Sequence, residues 1–374
     1  MIKILLGGSP CTKWSIAQKN DRETQPNSGL GWELFLNYKI ALEKYKPDYF
    51  LYENNKSASQ AIKDEIGRQL GAPLTYINSA LVSAQNRQRF YVMNCGNIKQ
   101  PEDRGILLND ILEKGYGLTN NDKSYALTTR CSGAIPEDAI TRRRHTMVEE
   151  PIRVGYMPSP NGEIMNSQGM RIYSIEGKSV SQTAQGGGIG ATTGLYAIPV
   201  DTPTYAITVE WDGNGVPTKA VSCADGKTYA VYEVKDGHIT IKGKRYLIKL
   251  PDGFYIIRKL TVKECKRLQT IPDWYEFPVS DAQAYKMLGN GWTVEIIKYL
   301  LSHIPNILNE EIEVFSMYDG MSCGQISLRE MGCNVVRYYS TEIDKYAIQT
   351  TQHNFPNTIQ LGDAFQVRED GWHI

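Results

Sequence analysis

Charge of either sign is missing in excess from this sequence: 41 Lys and Arg offset 41 Asp and Glu. Bulk charge therefore gives no pull on a polyanion, and a nucleic acid would have to be met by a local basic surface. No apolar run reaches the roughly 18 residues of a membrane span, and the opening stretch Ile2–Leu6 is too short for a secretory leader. No C-x-x-C pair occurs among the seven cysteines (Cys11, Cys95, Cys131, Cys223, Cys265, Cys323, Cys333). Their odd number and scatter argue against a disulfide framework and a zinc site, and favour a reducing compartment. We therefore expect a cytoplasmic protein, with no metal and no membrane. Oligomeric state is not legible.

At 374 residues, 41% hydrophobic and 22% charged, the chain has material for a sizeable core and two domains. Ile2–Leu6 reads as a buried strand that stops at Gly7-Gly8 and presents Ser9-Pro10-Cys11 at a sheet's carboxyl edge, where ligands of open α/β sheets collect. Lys13 to Gly31 is polar and reads as a loop of about twenty residues, a length that is usually functional or disordered, with Gly29 and Gly31 as hinges. Trp32–Tyr45 reads as a helix ended by Pro47, Asp48–Tyr52 as a strand delivering Glu53-Asn54-Asn55, Ser57–Leu70 as a helix, and Leu74–Ile77 and Phe90–Met93 as strands. This alternation predicts a parallel α/β sheet.

Between 100 and 255 glycines are dense and helical periodicity fades. Four segments (Lys123–Thr128, Lys178–Thr183, Pro203–Thr208, Lys227–Tyr232) loosely resemble one another as turn-plus-strand units. Gln185–Gly190 lacks the strand–turn–helix setting of a phosphate loop, and Thr141–His145, with Arg142, Arg143 and Arg144, is the one dense basic cluster. Thr261 to Glu264 is a capping box opening a helix, Gly289-Asn290-Gly291 a turn, and Trp292–His303 a helix. A strand, Ile312–Tyr318, then meets Asp319-Gly320-Met321-Ser322-Cys323-Gly324, a helix to Met331, and a strand Val335–Tyr339. Glu342 follows Gly320 by 22 residues, the travel of one helix and one strand, at which nucleotide-binding folds place a ribose-binding carboxylate. A third unit ends at Gly362-Asp363. Acids at successive strand ends point to a nucleoside-bearing cofactor, and the departure from G-x-G-x-x-G counts against a dinucleotide.

Together these motifs resemble the cytosine-C5 DNA methyltransferase family, in wording closest to its de novo branch. Gly7-Gly8-Ser9-Pro10-Cys11 resembles the Pro-Cys nucleophile motif, Glu53-Asn54-Asn55 resembles Glu-Asn-Val with Asn55 a departure, and Gln85-Asn86-Arg87-Gln88-Arg89 matches Gln-x-Arg-x-Arg. Arg258-Lys259-Leu260-Thr261 with Glu264, Arg267, Leu268, Gln269, Pro272 and Asp273 matches the motif after the target-recognition domain. Gly289-Asn290-Gly291-Trp292-Thr293-Val294 resembles Gly-Asn-Ser-x-x-Val, with Gly291 a departure. The Asp319–Gly324 turn, Glu342 and Gly362-Asp363 resemble the S-adenosylmethionine motifs. The coverage is roughly 1–95 and 258–363. The family starts with its cofactor motifs, whereas here Pro-Cys comes first, so the chain resembles a circular permutation.

The resemblance implies a class I S-adenosylmethionine-dependent methyltransferase (Rossmann-like) sheet, split into residues 1–99 and 258–374, around an inserted β-rich target-recognition domain, 100–257. It implies S-adenosylmethionine as cofactor, double-stranded DNA as partner, and methylation of cytosine C5 through a Cys11 adduct on a flipped base. Glu53 would serve N3 of the base, and Arg87 and Arg89 would hold its O2 and the acid. Tyr318, Asp319, Gly320, Met321, Ser322 and Gly324 would carry the cofactor's methionine part, Glu342 with Ile343 the ribose, and Asp363 with Ala364 the adenine, closed by Asn290 and Trp292. Trp14, Ser15, Ile16 and Gln18 of the loop, with Arg142, Arg143 and Arg144, would face DNA. Three alternatives remain open from the residues: a catalytically silent DNA-binding relative, the same chemistry on RNA, and a nicotinamide oxidoreductase that leaves Pro10-Cys11 and Arg87-x-Arg89 unused.

Overall fold

The computed structural model describes residues 1–10, 13–15, 22–113, 151, 153–183, 189–191, 193–200, 207–212, 214, 216–222 and 228–374. The chain opens with β1 (Ile2–Gly7), α1 (Gly29–Tyr45), β2 (Tyr49–Asn55), α2 (Gln60–Leu70), β3 (Leu74–Asn78), β4 (Gln88–Met93) and a single turn, α3 (Leu108–Ile111). The helix ends follow from local chemistry. Before Pro47, Lys46 takes the left-handed conformation (φ 47°) and closes α1, while the Ser59 hydroxyl accepts from the Ile62 N–H to start α2.

Ten short strands follow: β5 (Arg153–Tyr156), β6 (Arg171–Ser174), β7 (Leu195–Pro199), β8 (Ile207–Trp211), β9 (Pro217–Ser222), β10 (Thr228–Tyr229), β11 (Val231–Lys235), β12 (His238–Ile241), β13 (Lys244–Leu247) and β14 (Gly253–Arg258). Seven of them form a sheet in the order β13-β12-β11-β14-β7-β6-β5, with β8–β10 a separate three-stranded sheet. This sheet's own core contains Val154, Ile172, Leu195, Val234 and Ile239. Helical order resumes with α4 (Val262–Leu268), α5 (Asp281–Asn290) and α6 (Val294–Leu301), and the chain closes with β15 (Glu311–Met317), α7 (Cys323–Met331), β16 (Asn334–Thr341), α8 (Lys345–Asn354) and β17 (Ile359–Gly362). No helix among the described residues is long and apolar enough to cross a membrane.

The first and last portions form one sheet, β17-β16-β15-β1-β2-β4-β3. At its centre β1 runs parallel to both β15 and β2, and the period of two in β1 divides the core. Ile2, Ile4 and Leu6 pack with Ile297, Leu300 and Leu301 of α6, while Leu5 packs with Phe35 and Tyr38 of α1 on the other face. The expected all-parallel sheet is corrected at one strand: β4 lies antiparallel between β2 and β3. From β15 the chain crosses by α7 to β16 on one side, and from β1 by α1 to β2 on the other. The loops after β15 and β1 therefore diverge, and the crevice between them is the position where open α/β sheets take ligands.

Two further expectations change. Gly289 and Asn290 close α5 rather than forming a turn, with Gly291 as the residue after the helix. Lys178–Thr183 is no strand: it makes an isolated parallel bridge, Ser179 to Gln85, with the segment before β4, Ser179 N–H donating to the Ala84 carbonyl at 2.7 Å. The Thr261–Glu264 capping box is present as expected. The segment Lys123–Thr128 and most of Gln185–Gly190 lie outside the described residues.

Candidate functional site

The crevice is a cavity of about 730 Å³ whose lining draws on both ends of the chain. From the β1 and β2 side come Gly8, Ser9, Pro10, Glu53, Arg87 and Arg89. From the β15–β17 side come Tyr318, Asp319, Gly320, Met321, Glu342, Ile343, Asp363 and Ala364, with Asn290 and Trp292 between them. Ser322 and Gly324 are not in the lining. Ser322 is buried at the start of α7 (φ 62°), and a Cβ on Gly324 would lie 2.6 Å from Leu6 Cδ1, so this glycine serves helix-to-strand packing.

The Pro10 edge is fixed from below. The hydroxyls of Ser9 and Tyr52 share a hydrogen bond of 2.6 Å, and Asn54 Nδ2 donates to the Ser9 carbonyl at 2.9 Å, all three side chains being buried. Tyr52 and Asn54 flank Glu53 on β2, so one strand holds both the acid and the segment entering Cys11. Cys11 itself, with Ile16, Gln18, Arg142, Arg143 and Arg144, lies outside the described residues. The four described cysteines make poor nucleophiles. Burial pushes the thiols of Cys95 and Cys323 up to about 11 and about 12 and those of Cys265 and Cys333 upward as well.

Glu53 has two side-chain partners. Arg89 Nε meets Oε1 at 2.9 Å, both side chains 12% exposed, and the indole Nε1 of Trp292 donates to Oε2 at 3.0 Å. Gly8 makes room for this acid, since a Cβ there would sit 2.7 Å from the Glu53 carbonyl. Arg87 does not join Arg89 on the carboxylate. Its guanidinium donates to the carbonyls of Gly291 (2.8 Å), Gly289 (3.1 Å) and Gln182 (3.3 Å), binding the end of α5 to the strip that leads to the second sheet.

On the other wall, Glu342 accepts three backbone N–H bonds of 2.8 Å, from Gly320, Ile343 and Asp344. Gly320 has φ 58° and open space where a Cβ would be, which leaves the backbone accessible to a ligand. Asp319 turns inward onto the hydroxyls of Ser316 (2.6 Å), Tyr338 (2.9 Å) and Ser340 (3.3 Å). Burial pushes its carboxyl up to about 6 in spite of hydroxyl donors, and the nearby Glu342 adds to the rise. Asp363 caps the short turn Ala364–Arg368, accepting from the Phe365 N–H at 3.0 Å.

Of the residues expected to face DNA, Ser15 is half-buried and Trp14 is a correction. Trp14 is 0% exposed within the core under α1. Its indole donates to Glu23 at 3.3 Å, and a Cβ on Gly31 would lie 2.5 Å from its Nε1. Gly29 and Gly31 thus provide space for Glu23 and Trp14 rather than acting as bare hinges. Sequence reasoning missed Tyr52, Asn54 and the Trp292 bond to Glu53; their partners are far apart in the chain, and no spacing signals them.

Comparison with known proteins adds a family and relatives. The sequence model of the C-5 cytosine-specific DNA methylases matches residues 1–74 and 78–306, so β15–β17 lie beyond the matched part. The orphan methyltransferase M.Rho11sI of Bacillus phage rho11s is 24% identical over 445 residues, covering 83% of this chain and 86% of its own. The type II methyltransferase M.HhaI of Haemophilus parahaemolyticus is 23% identical over 316 residues, covering 82% and 76%. The type II methyltransferase M.SsoII of Shigella sonnei is 32% identical over 319 residues, covering 82% and 65%.

Proposed function

We propose, for a chain that belongs to the family of C-5 cytosine-specific DNA methylases and is a cytosine-C5 DNA methyltransferase, that it works through a covalent Cys11 adduct on a cytosine flipped out of double-stranded DNA. The observation that carries this reading is the shared cavity. Pro10, Glu53 and Arg89 line the same space as Asp319, Glu342 and Asp363, so a base held beside the acid faces whatever the carboxylate wall holds.

The wall suits S-adenosylmethionine, a cationic nucleoside. Asp319, Glu342, Asp344 and Asp363 line it against one ammonium, Lys286, itself paired with Asp344 at 2.7 Å. The exposed apolar side chain of Ile343 (74%) stands at the rim for a flat ring, beside Phe365 (37%), whose ring the Arg368 guanidinium covers at 4.9 Å. When bound, S-adenosylmethionine supplies an electrophilic methyl group. Glu342 would hold the ribose hydroxyls, Asp363 the adenine amino group, the Tyr318–Met321 turn the methionine part, and Asn290 and Trp292 the closing side.

Cytosine C5 is a weak nucleophile until a thiolate adds at C6. A free thiol with pKa near 8.5 is only about a tenth or less ionised near neutral pH, so the site must favour the Cys11 thiolate or take its proton as the base docks. The Cys11 Sγ–C6 bond then forms and charge moves to N3, where Glu53 donates a proton or hydrogen bond, help typically worth about 10²–10⁴-fold. Arg89 orients Glu53 and reaches for the base's O2. After C5 is methylated, loss of its proton expels Cys11 and restores the aromatic ring. Extracting the base costs a few kcal/mol; residues 100–257, the proposed recognition domain, supply DNA contacts that offset this.

We also infer that the methyltransferase sheet is circularly permuted. Counted from β15, the order β17-β16-β15-β1-β2 becomes 3-2-1-4-5, the doubly wound order. The family match stopping at residue 306, just before β15, supports the same reading.

The test is direct. The protein and its Cys11→Ala variant are expressed in a bacterium lacking cytosine methylation, and genomic DNA is read after bisulfite conversion. We expect protected cytosines in one sequence context with the wild type and none with Cys11→Ala. Protection by both forms would remove Cys11 from the chemistry, and protection by neither would leave a silent relative.

A further inference from the structure

We propose that Trp292 is a positioning residue that couples the cofactor-side turn to Glu53, so that a single indole links methyl-donor pocket and acid. The proposal rests on the reading of Glu53 as the acid that serves the base. The segment Gly291–Thr293 joins α5 to α6 and is pinned on both sides of the tryptophan. Before it, the Gly291 carbonyl accepts from Arg87 at 2.8 Å. After it, the Thr293 hydroxyl donates to Gln269 Oε1 at 3.0 Å and lies 2.8 Å from the Ser79 hydroxyl.

Close packing joins this segment to the cofactor turn. At Gly291 a Cβ would lie 2.6 Å from Met321 Cε and 3.3 Å from Cys323 Sγ, so the backbone packs closely against the turn. From this platform the indole reaches Glu53 Oε2 at 3.0 Å while Arg89 holds Oε1.

Indole nitrogen donates and cannot accept, so Trp292 and Arg89 together fix the plane of the carboxylate. Trp292 also lines the cavity, so a ligand resting on its ring steadies the donor on the acid. A tryptophan serving only as pocket wall would need its ring and not its N–H; a positioning residue needs both.

Trp292→Phe separates the two, since it keeps an aromatic wall and removes the donor. Single-turnover methylation rate and S-adenosylmethionine affinity are measured for wild type, Trp292→Phe, Trp292→Ala and Glu53→Gln. Losing a hydrogen bond to a charged group predicts a rate about tenfold lower in Trp292→Phe, with cofactor affinity kept within about threefold as the sign that pocket and fold persist. Trp292→Ala is expected to lose both. A Trp292→Phe rate equal to wild type, or a loss confined to affinity, with Glu53→Gln inactive, overturns the role of Trp292 and leaves that of Glu53 standing. A Glu53→Gln variant with wild-type rate removes the acid itself and the proposal with it.

Discussion

Of the carboxylates that line the crevice, Glu342, Glu53 and Asp319 are held by donors that differ in kind. Glu342 rests on three backbone amides, Glu53 on a guanidinium and an indole, and Asp319 on three hydroxyls. Amides, guanidinium and indole can only donate, whereas a hydroxyl can turn and accept. The partners of Asp319 therefore tolerate a neutral acid, and burial favours that form, bringing its carboxyl to about 6. An unfolded aspartate titrates near 3.8, so between these values the folded protein binds the extra proton. The Asp319 contribution to stability accordingly falls as pH rises from about 4 through 6 and stays low above. In Asp319→Asn this contribution is absent. The difference in Tm, wild type minus Asp319→Asn, should shrink across that window in a thermal melt series; a difference that is flat or grows with pH sinks the assignment. Spacing brought Glu342 to notice and the resemblance gave Arg89 as a partner of Glu53, but the Tyr338 hydroxyl and the Trp292 indole were not legible, because they reach their acids only once separate elements pack.

Between elements, the return from the second sheet to the methyltransferase core carries a buried ion pair. Arg258 at the end of β14 meets Glu264 in the first turn of α4 through two bonds of 2.7 Å, the side chains 7% and 0% exposed. Burial alone pushes the Glu264 carboxyl up, but the guanidinium outweighs it and holds the group below the usual range. Glu264 also accepts from the Thr261 and Glu113 N–H groups, so one acid ties the exit and return of the inserted strands. Arg258→Met should destabilise by about 3–5 kcal/mol by stranding the carboxylate, while Arg258→Met with Glu264→Gln should recover most of that loss. Urea denaturation of the three forms checks it, and a single variant no worse than the double would place the joint elsewhere. The capping box that positions Glu264 was readable because a cap is a local pattern. The direction of β4 was not, since alternation marks a strand but not its sense. Gly289-Asn290-Gly291 looked like a turn because glycine spacing cannot show that Arg87, two hundred residues earlier in the chain, would take up the closing carbonyls of a helix.

At the scale of the molecule, the alternation of elements made an α/β sheet legible at both ends of the chain, but only pairing reveals that the two ends share it, with β1 against β15 in register from Ile2 and Ile312 to Gly7 and Met317. If the order is a permutation of the doubly wound arrangement, chain order and fold should be separable. The connection from α6 to β15 passes through Pro305 and Asn306, both exposed, and a break there severs no strand pairing. A relinked chain that starts at Asn306, runs to Ile374, continues through a flexible Gly/Ser linker into Met1 and ends at Pro305 places β15–β17 first and Pro10-Cys11 after them. Linker closure costs only a slowly growing entropy with length, and every contact across β1 and β15 is kept apart from the ion pair of the Met1 amino group with Glu310, which is exposed and of little weight. The relinked protein should therefore melt cooperatively close to the parent and protect the same cytosines in bisulfite sequencing. Cooperative folding with lost methylation would show that the crevice depends on the native connection, and failure to fold, repeated with a longer linker, would mean that β1 and β15 cannot be assembled in the reverse order.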